Sequence, residues 1–201
     1  MIPIETCEPY FEYMRKYIEV DYEMTELIAS QLTETSFRQK DIIIREGAVC
    51  NRIYFLLSGT ARSYYTDCSG LTVTWAFHFN NDLSVVRNVF ATDYRSFLTN
   101  NPATITVEAL SDISALVFSK EAINHMMEKS WKYERWQRKI NEKAFVTMFE
   151  RTFTLLTMSA KERYSKLIRD ESHLMQMFSN YYIASYLGIA PQSLSRIRTQ
   201  H

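Results

Sequence analysis

The chain has 201 residues, of which 46% are hydrophobic and 14% aromatic, and its 23 basic side chains balance 23 acidic ones. This composition is sufficient for a sizeable core and excludes disordered, collagen-like and disulfide-scaffold proteins. The longest apolar run, Ile53 to Leu57, is too short to span a membrane, and the N-terminal residues lack the pattern of a signal peptide. We therefore expect a soluble, cytoplasmic protein with no membrane partner.

The charges are distributed unevenly along the chain. Residues 1–120 carry 10 bases and 15 acids, residues 121–158 carry 7 and 5, and residues 159–201 carry 6 and 3. The basic C-terminal end is a weak indication of an acidic partner, since a solvated helical surface produces a similar excess. Cys7, Cys50 and Cys68 are too few and too widely spaced for a disulfide framework or a four-thiolate metal site. We expect neither a metal ion nor a cofactor.

A period-two pattern between Lys40 and Phe118 predicts a series of short strands. Over residues 71–79, large apolar side chains occupy the odd positions and small or polar ones the even positions, which is typical of a half-buried strand. Further strands are predicted over 42–44, 53–58, 61–66, 104–110 and 113–118, and turn residues that include Gly47, Gly59 and the segment 67–70 separate them. Such closely spaced strands favour an antiparallel roll or barrel.

The pattern becomes helical from Ser119 onward. Residues 131–157 contain neither Gly nor Pro, and 27 residues of helix would be roughly 40 Å long. Two apolar stripes run along this helix. The first stripe consists of Trp136, Ile140, Ala144 and Met148, and the second of Phe145, Phe149, Phe153 and Leu156. One stripe can pack on the roll while the other pairs with a second copy of the chain, and we assign the first stripe to the dimer helix. The alternative is a single central helix buried on both sides of a monomer.

The last third of the chain contains two signals of paired helices. Ser159 and Glu162 form a capping box that begins a helix ending near residue 170. Residues 179–198 then follow the spacing of a helix-turn-helix, in which a small side chain allows the helices to cross, a glycine forms the turn and apolar residues clasp the pair. The structural positions of this motif are Ala184, Gly188, Leu194 and Ile197, and Pro191 begins the second helix.

The exposed side of that second helix predicts contacts with DNA bases. Gln192 can pair bidentately with adenine and Arg196 with guanine, and Ser193 and Thr199 can add shorter contacts. Ser179 at the start of the first helix would lie against a phosphate. The alternatives are a solvated surface charge at Arg196 and an αα-hairpin with no role in DNA binding.

Three segments resemble the cyclic AMP receptor protein and fumarate-nitrate regulator (CRP/FNR) superfamily: EG at 46–47, YFLLSG at 54–59 and IASYLGIAPQSLSRIR at 183–198. The resemblance covers about residues 20–201 and implies an α+β protein in three parts. Residues 1–130 would form a sensor β-roll similar to a cyclic nucleotide-binding domain, with flanking helices. Residues 131–158 would form a long connecting and dimerisation helix, and residues 159–201 a helix-turn-helix domain without a full wing.

The resemblance also implies a function. It points to a homodimeric bacterial transcription regulator that binds palindromic double-stranded DNA, with RNA polymerase as a candidate partner and an effector that the sequence does not identify. Gln192 and Arg196 match the base-reading positions of the family, and Ser193 and Thr199 lie beside them. Ser179 and Tyr181 match positions near phosphates, and we assign Arg198 to the same group.

The chain departs from the family pattern where members that bind cyclic nucleotides hold the phosphate. Those members use a Gly-Glu pair and an arginine, whereas here Ala103 stands at the position of the arginine. The corresponding degenerate pocket consists of Asp82, Leu83, Ala103 and Thr104. We therefore expect that the roll does not respond to cyclic AMP, because a buried phosphate would lack its charged partner.

Other branches of the family fit no better. Cys7 is the single cysteine near the N-terminus, whereas an iron–sulfur cluster needs a quartet, and a lone His78 is expected to be a core or surface residue. The sequence stops three residues after Arg198, so we expect no β-hairpin wing.

Two other classes of function are alternatives to a DNA-binding regulator. An enzyme is not expected, because the chain contains no nucleotide-binding glycine motif and its four histidines are isolated. A ligand-sensing or protein-interaction module that has lost DNA binding is the second alternative. It is favoured slightly by the missing wing and by Ala190, which caps a helix poorly.

Overall fold

The computed structural model describes residues 2–68 and 70–199. A single 3₁₀ turn, Ile4–Cys7, precedes helices α1 (Glu8–Arg15) and α2 (Tyr22–Gln31). The strands are β1 (Thr33–Phe37), β2 (Ile42–Ile44), β3 (Arg52–Ser58), β4 (Ala61–Thr66), β5 (Thr72–His78), β6 (Phe90–Ala91), β7 (Thr106–Ala109) and β8 (Ile113–Ser119). Short helices α3 (Val86–Val89) and α4 (Tyr94–Thr99) flank β6. The remaining helices are α5 (Lys120–Lys129), α6 (Trp131–Thr157), α7 (Ala160–Asp170), α8 (Leu174–Met177), α9 (Asn180–Tyr186) and α10 (Pro191–Thr199). Ser69 of the predicted turn and residues 200–201 of the predicted C-terminal domain lie outside the described residues.

The strands form two four-stranded antiparallel sheets, in the orders β1-β8-β3-β6 and β2-β7-β4-β5. The predicted antiparallel roll is therefore confirmed. Consecutive strands β3 and β4 lie in different sheets, and the turn between them contains Gly59 with φ +84°. A Cβ at this position would lie 2.2 Å from the carbonyl oxygen of Asp112, so the turn requires glycine. Leu56, Val107 and Ala115 pack in the core between the sheets.

Strand β5 differs from its predicted half-buried form. Ser63 of β4 is opposite Ala76, but Tyr64 is opposite Thr74, so Trp75 is an extra residue in β5. Such a bulge rotates the side chains on one side of it relative to those on the other. Trp75 consequently lines a cavity inside the roll, whereas Phe77 stacks on Phe178 of the C-terminal helices with ring centroids 3.9 Å apart. Both faces of β5 are covered, which a simple alternation does not predict.

The first half of α6 is part of the core of the roll. Trp136 is 1% exposed and Ile140 7%, and they belong to a cluster with Tyr10, Phe55 and Phe118. The assignment of Trp136 and Ile140 to the dimer contact is therefore wrong, because these side chains are already buried against their own chain. Of the rest of the first stripe, Ala144 is partly buried against the same cluster and Met148 is 40% exposed.

The second stripe of α6 faces solvent in the single chain. Its four side chains are exposed by 72% (Phe145), 62% (Phe149), 52% (Phe153) and 80% (Leu156). The monomer alternative requires α6 to be buried on both sides. The exposed second stripe shows that the helix is not buried in this way. Within the described residues, no helix is long and apolar enough to cross a membrane.

The helices after α6 pack on the outer face of β5. The predicted capping box is present at the start of α7: Ser159 Oγ accepts from the Glu162 N–H, and the Glu162 carboxylate accepts from the Ser159 N–H at 2.7 Å. A separate apolar cluster joins Phe77 and Phe79 of the β5 region to Tyr164, Phe178 and Leu194. The C-terminal helices therefore share a core with the roll.

Candidate functional site

The α9–α10 pair is built as the sequence predicts for two crossing helices. Ala184 and Leu194 are buried at 0% and 1% exposure, and Ile197 is half-buried. Gly188 has φ +65°, and in the turn the Ile189 N–H donates to the Ala184 carbonyl at 3.0 Å. A residue with a Cβ would be strained in this left-handed conformation. The pair is therefore a compact unit with a defined crossing.

The outer side of α10 presents polar side chains to solvent. Gln192, Arg196 and Thr199 are exposed, and Ser193 is half-buried. Gln192 and Arg196 are four residues apart, so they lie on the same face of the helix. Arg196 Nη2 donates to Ser193 Oγ at 3.2 Å, and Thr199 Oγ1 donates to the Arg196 carbonyl at 2.9 Å. This face offers an amide and a guanidinium that can form paired hydrogen bonds with base edges.

The predicted phosphate-contacting residues lie at one end of the pair. Ser179 and Tyr181 are exposed, and Ser179 Oγ caps α9 by accepting from the Tyr182 N–H. Arg198 Nη1 donates to Asn180 Oδ1 at 2.9 Å, which links the end of α10 to the start of α9. In this structure Arg198 therefore contacts its own chain.

A cavity of about 580 Å³, here called the roll cavity, lies between the strands and the first half of α6. Its walls are mostly apolar and aromatic, and include Trp75, Phe90, Phe118, Tyr133, Trp136 and Ile140. The polar side chains in its wall include Ser63, His78, Arg87, Asp93, Arg95 and Thr104. The volume and the lining are typical of a site for a small molecule.

His78 is a buried core residue in the wall of the roll cavity. The ring is 3% exposed, and Nε2 lies 3.1 Å from Ser63 Oγ. Among the described residues, Nδ1 has no hydrogen-bond partner. Burial lowers the pKa of His78 from 6.5 to about 4, so the imidazole is neutral near pH 7.

Asp93 is a buried acidic residue in the wall of the roll cavity, beside Thr104 of the predicted pocket. The carboxylate is buried and accepts from the N–H groups of Ser96 at 2.9 Å, Thr104 at 2.7 Å and Ile105 at 3.3 Å. A phosphate bound at Thr104 would lie beside this carboxylate, and like charges at short distance repel. Arg95, the nearby cation, donates to the Pro102 carbonyl at 2.8 Å.

The predicted pocket residues do not form one site. Thr104 lines the roll cavity, but Ala103 is buried in the core between the sheets. Asp82 and Leu83 lie in an exposed turn, in which the Leu83 N–H donates to Asn81 Oδ1 at 2.9 Å. Their assignment to the pocket is wrong, because this turn points outward and the short helix α3 begins only at Val86.

A second cavity of about 280 Å³, here called the junction cavity, lies where α3, α6, α7 and α9 meet. Its wall is strongly charged and contains the bases Arg87, Arg151, Arg163 and Lys166 and the acids Glu150, Asp170 and Glu171. Sequence reasoning missed this site. A single arginine within an apolar helix segment, Arg151, is the one signal that could have indicated it.

Arg151 is the most deeply buried of these charges, with 6% exposure. Its guanidinium donates to the carbonyls of Trp75 at 3.2 Å and Thr74 at 3.1 Å in β5, and to the Tyr186 carbonyl in α9. It also lies over the Tyr186 ring, 3.8 Å from the centroid. One side chain of α6 thus holds the roll and the α9–α10 pair together.

The described residues contain no cluster of three or more His, Cys, Asp or Glu side chains that could hold a metal ion. Cys7 and Cys50 are buried singly, and Cys68 is exposed.

Known proteins share the sequence pattern of part of this chain and the fold of most of it. Residues 34–130 match the family of cyclic nucleotide-binding domains. No curated protein matches the chain significantly by sequence. FixK2 from Bradyrhizobium japonicum is a similar solved structure, with 18% identity over 84% of this chain and 83% of that chain and a TM-score of 0.68.

Two further solved structures share the fold over most of their length. CLP, a c-di-GMP-responsive global regulator from Xanthomonas campestris, is 12% identical over 90% of this chain and 91% of that chain, with a TM-score of 0.68. A protein from Eubacterium rectale assigned to the CRP/FNR family of transcriptional regulators is 16% identical over 90% and 83%, with a TM-score of 0.62. Residues 34–130 therefore match the cyclic nucleotide-binding domain family. The chain as a whole shares its fold with these three solved structures, one of which is assigned to the CRP/FNR family.

Proposed function

We propose that the chain is a homodimeric, sequence-specific DNA-binding transcription regulator of the CRP/FNR type, acting in the bacterial cytoplasm. The observation that carries this proposal is the exposed Gln192–Arg196 face of α10, supported from behind by α9. In this proposal residues 1–130 sense, residues 131–158 connect and dimerise, and residues 159–201 bind palindromic DNA. RNA polymerase is a candidate further partner.

The proposed dimer uses the second stripe of α6. Its side chains are spaced at positions 145, 149, 153 and 156, so they line one side of the helix. A contiguous exposed row of large apolar side chains is typical of an interaction surface. A second copy of the same helix would bury this row and place two α10 helices on one DNA.

Selection of binding sites from random duplex DNA tests the proposal. At about 100 mM salt, where non-specific phosphate contacts are weakened, we expect enrichment of a palindrome with half-sites near one helical turn apart. Absence of enrichment with or without effector candidates would favour a sensing or protein-interaction module that has lost DNA binding. The unsupported cap at Ala190, which has no side-chain acceptor for α10, is the feature in favour of that second function.

Arg196→Ala tests the base-reading role directly. The variant should bind the selected site less tightly by about 1 to 3 kcal/mol and lose preference at one base pair. Arg169→Ala is the matched control, because Arg169 is an exposed arginine on α7 that pairs with Asp170. Equal affinity of Arg196→Ala and wild type would remove Arg196 from the reading role.

The roll cavity, in our proposal, does not bind cyclic AMP. The buried Asp93 carboxylate already accepts from the Thr104 N–H, and Ala103 supplies no charge to a phosphate. Titration calorimetry with cyclic AMP should show no saturable binding, and micromolar saturable binding would contradict the proposal. We propose no catalytic activity and no bound cofactor.

A further inference from the structure

One charged contact joins the wall of the roll cavity to the C-terminal helices. Arg87 of α3 forms an ion pair with Glu171 at the end of α7, and the two side chains are 18% and 22% exposed. The second carboxylate oxygen of Glu171 accepts from the Tyr186 hydroxyl of α9 at 3.1 Å. We call this set of interactions the α3–α7 contact. It links α3 to α7 and α9, and Arg87 and Glu171 are 84 residues apart in sequence.

Arg87 has a particular position in this contact, because it lines both cavities. It is part of the wall of the roll cavity, where an effector would bind, and also of the junction cavity, where the C-terminal helices meet the roll. Any change in the position of α3 would therefore move one partner of the ion pair.

Helix α3 is itself held firmly on β5. Asn88 Nδ2 donates to the Phe77 carbonyl at 2.9 Å, and Asn88 Oδ1 accepts from the Val85 N–H at 3.0 Å. Phe77 in turn stacks on Phe178 of the C-terminal helices. The hydrogen bond from Asn88 to β5 on one side and the ion pair on the other leave α3 little freedom to move independently.

The electrostatics make Glu171 the group on which the junction depends. Burial lowers the pKa of Arg87, but Tyr186 and Glu171 outweigh this effect and raise it overall. Burial lowers the pKa of Arg151, and the charges of Arg87 and Arg163 add to the decrease. Removal of the Glu171 carboxylate would leave Arg87 without its ion-pair partner and close to the guanidinium of Arg151. A buried charge without a partner is costly.

We propose that Arg87 and Glu171 are positioning residues that fix the α9–α10 pair relative to the wall of the roll cavity and so couple the cavity to the proposed recognition helix. The statement about DNA rests on the proposed function, whereas the statement about the coupling of the two parts does not. The two statements are therefore tested separately.

Hydrogen exchange of the free full-length chain, followed by mass spectrometry, tests the coupling. Glu171→Ala should increase exchange about tenfold, a typical coupling between sites, both around residues 171–187 and across the chain around residues 83–91. Glu150→Ala is the matched control, because Glu150 lines the same cavity and forms no ion pair among the described residues. It should increase exchange in both segments much less than Glu171→Ala does, because Glu150 acts on Arg87 through space without forming an ion pair. An increase confined to residues 171–187 would overturn the proposal.

A second variant guards against a folding defect in the first. Arg87→Met keeps the aliphatic stem and removes the charge, and should increase exchange in the same two segments. The double variant should exchange no faster than either single variant, because both substitutions break one contact. Additive increases would show that the two side chains act independently and would also overturn the proposal.

DNA binding tests the positioning role. On the palindrome selected by the wild type, moving the half-sites apart by five base pairs should weaken binding, because the two recognition helices are held at a fixed separation. Glu171→Ala should reduce this discrimination about tenfold and leave affinity for a single half-site unchanged. An unchanged discrimination would refute the positioning role. If the wild type selects no site, the proposed function fails, and the exchange experiment still decides whether the α3–α7 contact couples the two parts.

Discussion

The two halves of α6 bury opposite kinds of side chain. In the first half the apolar side chains of Trp136 and Ile140 are buried against the roll. In the second half the buried side chains are polar, Arg151 and Thr154, while the apolar second stripe faces solvent. The first half of α6 therefore contacts the rest of the chain through apolar packing, and the second half contacts it through directional hydrogen bonds.

This difference indicates what each half does. Apolar packing is non-directional and costly to separate, so the first half anchors α6 to the roll. Hydrogen bonds from Arg151 to backbone carbonyls are specific for one orientation, so the second half sets the position of the C-terminal helices. The apolar side chains left outside are then available for a second copy of the chain.

Trp136→Ala should have the largest effect of the substitutions that test this comparison. Deletion of a fully buried tryptophan side chain costs about 3 to 5 kcal/mol of unfolding free energy, because it leaves a cavity. Trp131→Ala is the matched control on the same helix, since Trp131 is 66% exposed, and should change stability by less than about 0.5 kcal/mol. Thermal or denaturant unfolding at one fixed protein concentration measures both. Similar losses for the two variants would contradict the anchoring role of the first half.

Phe149→Glu should break the proposed dimer and spare the fold. A charge placed in the middle of an apolar contact costs at least about 2 kcal/mol, so the dimer dissociation constant should rise 30-fold or more. Sedimentation over a range of concentrations measures this constant, and circular dichroism checks the fold. Trp131→Glu introduces the same charge at an exposed aromatic residue outside the second stripe and should leave the dimer intact. A dimer that survives Phe149→Glu would place the contact elsewhere.

Arg151→Met should cost about 2 kcal/mol, because it leaves up to three buried carbonyl groups without a donor. The loss should appear mainly as faster hydrogen exchange in β5 and α9, which Arg151 links, and less in the first half of α6. Arg135→Met is the control, because Arg135 is an exposed arginine on the same helix. Equal exchange in the two variants would show that the second half is not held by Arg151.

The sequence predicts those parts of the molecule that depend on local patterns. The turns at Gly59 and Gly188, the helix over residues 131–157 and the capping box at Ser159 all follow from side chains close in sequence. It does not predict β1, an edge strand whose TETSF sequence has no large apolar side chain before its last residue. The bulge at Trp75 is also missed, because the alternation of residues 71–79 is regular and the register is set by β4.

The candidate site was less predictable, for a physical reason. The exposed positions of α10 follow from helical spacing alone. The roll cavity and the α3–α7 contact depend on residues brought together from distant segments, such as Arg87 and Glu171, and no local pattern pairs them. Likewise, two apolar stripes on one helix do not show which of them the roll will cover.

Tyr10→Phe should have the smallest effect on the unfolding free energy. It tests whether a hydrogen bond contributes to the contact between the first half of α6 and the roll. The Tyr10 hydroxyl accepts from Trp136 Nε1 at 2.8 Å inside the core. Loss of the hydroxyl, which also interacts with Tyr133, should lower the unfolding free energy by about 1 kcal/mol. Tyr22→Phe is the matched control, because the Tyr22 hydroxyl donates to Glu26 at the surface, where such a bond contributes little. A loss near zero for Tyr10→Phe would mean that apolar packing alone holds the first half of α6. A loss as large as that of Trp136→Ala would mean that the first half of α6 also depends on a directional hydrogen bond. The two halves would then differ in which side chains they bury but not in the kind of contact that holds them.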